Sequence, residues 1–228
     1  MISQGAKLSQ RHIRDGGGKI LNNECAKIHD GKVGDVMNKV FRDIQKKYPT
    51  KCFELKKSIP QITISKNINE TYTPSNPRSS IRPDGGVLYM NGIPVLSTEA
   101  KKQGTNSERK KCGKKKQAMG NAIERAHKNY NEIKNLYNPY LFTSYLLFGY
   151  GCDFAEGSSI VDRLSAMTDY DTFNTLHIKD EIVNVKIDGK ELNERRKKAS
   201  VFLQEEAFTD EFIYNKCMEA IDIVIDII

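Results

Sequence analysis

Apolar residues recur at intervals of three and four from Lys32 to Tyr48. Val33, Val36, Met37, Val40, Phe41 and Ile44 fall on one side of a helix drawn through this stretch, because 3.6 residues per turn bring such positions together. The spacing predicts an amphipathic helix with a core-facing stripe. From Pro60 to Ser80 the pattern dissolves into Asn, Ser, Thr and Pro, and a surface excursion is expected. Two β-rich runs follow, Val87–Met90 and Ile93–Thr98, separated by Asn91-Gly92, a strong signal for a two-residue hairpin turn. A second helix is expected over about Gln117–Tyr137, burying Ala122, Ile123, Ala126, Tyr130 and Ile133. Ser144–Phe148 reads as a buried strand bounded by Gly149, and Ile182–Ile187 as an alternating strand ending at an Asp188-Gly189 turn. Thr209 caps a last helix running to about Ile227, with Phe212, Cys217, Ile221 and Val224 inward. Strands alternating with helices give an α/β class, a mixed β-sheet flanked by helices. No long Ser/Gly/Pro linker divides the chain, so one domain over 1–228 is expected, with a basic arm over 1–19 and a functional core over 82–150.

The hairpin carries the first candidate chemistry. Pro83-Asp84-Gly85-Gly86 precedes it and Glu99-Ala100-Lys101 ends it. If Met90 pairs with Ile93, stepping outward sets Asp84 directly opposite Glu99. Opposed residues share a face with Cβ atoms roughly 4.5–5.5 Å apart. Lys101, two residues beyond Glu99, lies on that face too. Pro94 and the glycine pair are the positions at which a bulge would slip this register. Two carboxylates can hold Mg²⁺ together with substrate phosphate and water. The ammonium can orient the attacking water or stabilise the transition state. The alternative is an ordinary surface hairpin with a Glu–Lys pair.

The 228 residues carry a net charge of +7. Arg109-Lys110-Lys111 and Lys114-Lys115-Lys116 form a dense block, and Lys7, Arg11, Arg14 and Lys19 decorate the first residues. Such runs neutralise phosphates, although a solvated loop has the same composition. Five cysteines with irregular spacing and no CxxC pair argue against a disulfide framework or a structural zinc, and fit a reducing cytoplasm. No apolar run is long enough to span a membrane, and residues 1–19 lack a signal-peptide core.

The second helix has a polar face as well. Asn121, Glu124, Arg125 and Lys128 follow helical spacing opposite the apolar stripe. Asn can bind adenine at N6/N7, Glu can accept from an exocyclic amine and Arg can donate to purine acceptors. A major-groove reader is one reading of this face. An exposed face with a Glu124–Lys128 ion pair is the other.

Three blocks carry a resemblance: Ser79–Gly86, Glu99–Gly104 and Gly120–Asn129, the last containing Gly-Asn-Ala-Ile-Glu-Arg. Weaker likeness extends through Ala26–Val36, Tyr145–Phe148 and Asp162–Leu164. The sequence resembles the EcoRI type II restriction endonuclease family, within the PD-(D/E)xK nucleases. The resemblance implies a homodimeric, Mg²⁺-dependent endonuclease that cuts double-stranded DNA at a palindrome containing AATT, GAATTC foremost, alongside a companion methyltransferase. It implies Asp84 and Glu99 as metal ligands and Lys101 as the catalytic lysine. Asn121, Glu124 and Arg125 would read the inner adenines, with Arg163 in support. Lys102, Gln103, Lys114, Lys115, Lys116 and Lys128 are expected on the DNA. The chain departs from the family at Lys102, where a histidine is usual, at Ala166, where an arginine is usual, and in a compressed loop between the blocks. The alternatives are a PD-(D/E)xK nuclease of different specificity and one with a structure-specific or repair role, and the latter would not need the base-reading set. An inactive DNA-binding protein would not need all three of Asp84, Glu99 and Lys101.

Overall fold

The computed structural model describes residues 18–60, 62–63, 73–74, 80–102, 127, 129–150, 173–204 and 206–228. The first helix spans Gly18–Lys47. Its stripe is the expected one, with Val33, Val36, Met37, Val40 and Ile44 buried and Phe41 partly so. The helix starts well before Lys32, because a helix nucleated by a packed segment propagates cheaply into residues with no pattern of their own.

Five strands build the central sheet in the order β1 (Phe53–Lys56), β6 (Gly86–Met90), β7 (Ile93–Lys102), β8 (Tyr145–Tyr150), β11 (Ser200–Gln204). The β1–β6 and β6–β7 pairs are antiparallel, whereas β7–β8 and β8–β11 are parallel. The mixed sheet flanked by helices agrees with the fold class expected from the sequence. β8 runs past Gly149 to Tyr150. The Pro60–Ser80 excursion is not wholly irregular. Short strands β2 (Ile59–Pro60) and β5 (Ser80–Ile81) pair at its base, and β3 (Ile62–Thr63) and β4 (Thr73–Pro74) pair beyond them.

The pleat divides β7 between two layers. Leu96, Thr98 and Ala100 lie on one face, on which Phe148 of β8 reaches Phe208, and Phe202 of β11 reaches Phe212 at the start of the last helix. That helix spans Asp210–Ile227, and the Thr209 side chain accepts from the Phe212 amide at its start. Its inner residues are Ile213, Cys217, Ala220, Ile221 and Val224, with Phe212 half-buried. It is tied to the first helix by Lys47–Asp222 at 2.7 Å and by Tyr214 to Asp43 at 3.1 Å. Ser97, Glu99 and Lys101 take the opposite face. Residues 129–133, helical, and the 3₁₀ turn Lys134–Tyr137 cover it. The Tyr137 hydroxyl lies 2.9 Å from Ser97 Oγ and donates to the Ser144 carbonyl at 2.8 Å. Tyr130 and Ile133 are buried there as the sequence predicts.

β9 (Glu181–Ile187) and β10 (Lys190–Arg196) form a separate hairpin. Asn91 and Gly92 have φ of 50° and 82°, and Asp188 and Gly189 have 49° and 80°. Both turns therefore have positive φ at both central positions, the type I′ pattern that these dipeptides favour. Among the described residues no helix is long and apolar enough to cross a membrane, and Cys52 and Cys217 are free thiols.

Candidate active site

Two glycines shape the approach to the site. The Gly86 amide donates to the Pro83 carbonyl at 2.9 Å, closing a turn, and the Gly85 amide donates to the Thr98 carbonyl at 3.1 Å, pinning that turn to β7. A Cβ on Gly85 would stand 1.7 Å from Thr98 Oγ1, and one on Gly86, where φ is +83°, would stand 2.7 Å from the Lys56 carbonyl oxygen. Only residues without a side chain let the turn lie this close. Lys57 fastens it from behind, donating to the Gly85 carbonyl at 3.3 Å and to Gly34 of the first helix at 3.5 Å. Burial pushes the Lys57 ammonium below its usual range.

The register differs from the one expected. Met90 pairs with Ile93 and Tyr89 with Pro94, but Leu88 pairs with Leu96, so a bulge places Val95 between two rungs. Pro94 has no amide to continue the ladder, which is the physical reason for a break beside it. Beyond the bulge every pairing moves by one, and Asp84 does not oppose Glu99. Asp84 lies outside the ladder, in the turn, so the pleat does not dictate where its carboxylate goes.

The three groups meet nonetheless. Asp84 Oδ2 accepts from the Ala100 amide at 2.9 Å and from Lys101 Nζ at 3.4 Å. Glu99 Oε2 accepts from the Asp84 amide at 3.3 Å. Glu99 Oε1 accepts from Lys101 Nζ and from Asn129 Nδ2, the latter at 2.8 Å. Lys101 also donates to the Ala100 carbonyl at 2.9 Å. The Glu99 side chain is 1% exposed, whereas Asp84 and Lys101 keep 20% and 17% of theirs open. Burial raises the Glu99 carboxyl above the ordinary range, and the neighbouring Asp84 adds to the rise against the pull of Lys101 and Asn129.

This donor set suits a hard divalent cation. Both acidic groups offer carboxylate oxygens, and the cost of two desolvated charges side by side falls when a cation lies between them. Among the described residues no group of three or more His, Cys, Asp and Glu is assembled. A cation held by Asp84 and Glu99 would complete its shell with water and phosphate, as Mg²⁺ commonly does.

Of the other candidate residues, Lys102 is the last of β7 by its backbone. Gln103, Lys114, Lys115, Lys116, Asn121, Glu124, Arg125, Lys128 and Arg163 lie outside the described residues. Asn129 was not singled out by its spacing. Its one signal in the sequence is its place at the end of the Gly120–Asn129 block. His127 is paired with Asn131, Nε2 to Nδ2 at 2.7 Å.

A family model described as Restriction endonuclease EcoRI matches residues 15–161. The chain belongs to the EcoRI restriction-endonuclease family. The Type II restriction enzyme EcoRI of Escherichia coli is 32% identical over 180 residues, covering 70% of this chain and 64% of that protein. The Type II restriction enzyme RsrI of Cereibacter sphaeroides is 31% identical over 182 residues, with the same two coverages. The matched region thus spans a little under two thirds of the length of these EcoRI-family relatives. The family match contains Asp84, Glu99, Lys101, Asn121, Glu124, Arg125 and Asn129, and it ends before Arg163.

Proposed function

We propose that this chain is a type II restriction endonuclease that hydrolyses both strands of DNA at a palindrome containing AATT, with GAATTC the expected target. The observation that carries the reading is the meeting of Asp84, Glu99 and Lys101 beside the end of β7. Family membership and the EcoRI and RsrI relatives support it.

Asp84 and Glu99 would hold Mg²⁺. When bound, such a cation lowers the pKa of its water and polarises the phosphoryl oxygen. Lys101, held by both carboxylates in the resting site, would donate to an incoming phosphate or orient the attacking water. Asn121, Glu124 and Arg125 would take base edges in the major groove, and Arg163 would support the outer pair. Lys102, Gln103, Lys114, Lys115, Lys116 and Lys128 would contact the backbone and make affinity fall with salt. A palindrome read by identical subunits calls for a two-fold homodimer, one active site per strand. A companion methyltransferase would protect the host's own sites.

Digestion of a plasmid with mapped GAATTC sites, in Mg²⁺ and in EDTA, tests this. Double-strand cuts at those sites only in Mg²⁺ are expected. Lys102 and Ala166 depart from the family pattern, which favours as second reading another AATT-centred hexamer. Sequenced ends decide between the two, and ends without AATT overturn both.

A further inference from the structure

Among the described residues, three donors surround the carboxylate of Glu99. Two are local: the Asp84 amide on Oε2 and Lys101 Nζ on Oε1. The third, Asn129 Nδ2, reaches Oε1 from the layer that covers the sheet. It is neutral, so it orients the carboxylate without adding charge. Its base is anchored. The hydroxyl of neighbouring Tyr130 donates to the Lys197 carbonyl at 2.9 Å, and the Tyr130 ring packs 5.4 Å from that of Tyr145 on β8. At the other end of the segment, Arg195 donates to the Asn138 carbonyl at 3.0 Å. An amide on so fixed a base sets the rotation of the carboxylate it touches.

We infer that Asn129 is the positioning residue for Glu99, holding Oε1 so that Oε2 stays turned to the Asp84 side, where the cation would bind. This rests on the endonuclease reading above. Ligating carboxylates commonly depend on such outer hydrogen bonds, and losing one typically costs 10- to 100-fold in metal affinity or activity. Asn129 also follows Arg125 by four residues. The proposed base-reading residues thus stand close in sequence to the residue that holds Glu99.

The test uses the full chain. Mn²⁺ binding is followed by electron paramagnetic resonance, DNA binding is measured separately in EDTA, and thermal midpoints are recorded. Asn129→Ala should weaken Mn²⁺ binding about 10-fold or more and raise the Mg²⁺ needed for half-maximal cleavage by a similar factor. DNA binding in EDTA should be unchanged. Asn129→Leu, which keeps the volume and drops the donor, should repeat the loss, and Asn129→Gln should recover part of it. Loss of metal binding together with DNA binding in EDTA, in both the Ala and Leu variants, would mean a merely structural role and overturn the inference. Wild-type Mn²⁺ binding that Glu99→Gln abolishes and Asn129→Ala leaves intact overturns the inference alone. Wild-type protein that binds no Mn²⁺, indistinguishable from Glu99→Gln, overturns the endonuclease reading and the inference with it.

Discussion

The amide of Ala100 donates to Oδ2 of Asp84 at 2.9 Å. One main-chain group of β7 thereby fixes the acidic side chain of the turn, leaving Lys101 to bridge it to Glu99. Charge and shape can be separated at this site. Asp84→Asn and Glu99→Gln keep the volume and lose the charge, and Lys101→Ala removes the ammonium. Each should lower single-turnover cleavage by at least about 10²-fold while retaining DNA binding in EDTA. Near-normal cleavage by Glu99→Gln would overturn its proposed role as a metal ligand.

Gly85→Ala should cost about 1–3 kcal/mol of stability, as overpacking does, since its Cβ would meet Thr98 Oγ1 at 1.7 Å and Met37 Cγ at 2.8 Å. Thr98 Oγ1 is buried and has no hydrogen-bond partner among the described residues. Thr98→Ala in the same chain should therefore restore part of the loss. Urea unfolding of the two single variants and the double variant measures the coupling. Strict additivity would mean that the clash is relieved elsewhere.

Burial raises the Glu99 carboxyl, and the direction sets a pH dependence. In the metal-free protein the folded state holds this proton to higher pH than the unfolded chain does. The stabilising contribution is complete below the ordinary glutamate range and is lost as pH rises through the raised value. Glu99→Gln should flatten that part of the stability profile. Cation binding needs the ionised form, so half-saturating Mg²⁺ should climb as pH falls through the same window. A Mg²⁺ requirement independent of pH in that window would count against it.

Lys197 gives the opposite sign. Burial, then the neighbouring Arg195, push its ammonium down to about 8. Between about 8 and the usual lysine value the unfolded chain binds the proton that the folded one has released, so stability rises with pH there and the gain is lost as pH falls through about 8. The difference in unfolding free energy between wild type and Lys197→Met should grow in favour of wild type from pH 7 to 9.5. Denaturation at several pH values reads it, and a flat difference would refute the assignment.

What the sequence disclosed was what local chemistry enforces. Asn91-Gly92 and Asp188-Gly189 announce their turns because few other residues accept positive φ. Thr209 marks a helix start because its hydroxyl serves an amide that lacks a partner. Two strands of the sheet left no such mark. Phe53–Lys56 is short and lies at the edge, and Ser200–Gln204 is buried without alternation, its identity fixed by pairing with β8. The bulge at Val95 escaped because register is decided by rungs on both strands, not by either alone. Alternation alone brings Asp84, Glu99 and Lys101 together by cross-strand opposition, whereas in the structure the turn carries Asp84 in. Asn129 could not be foreseen from spacing, because its partner lies thirty positions away on another layer.

The chain leaves the sheet at Lys102 and is back beside Glu99 at Asn129. Exit and return stand at one rim, where Tyr150 ends the neighbouring parallel strand. A connection whose two ends are already held together is tolerant of its own length. Closure entropy grows only logarithmically, about 0.6 kcal/mol for each doubling. For the sheet and the three groups beside it, what counts is where the two ends of this connection are held, at Lys102 and Asn129. In the proposed function, the connection that would meet the base edges therefore begins and ends beside the groups that would cut.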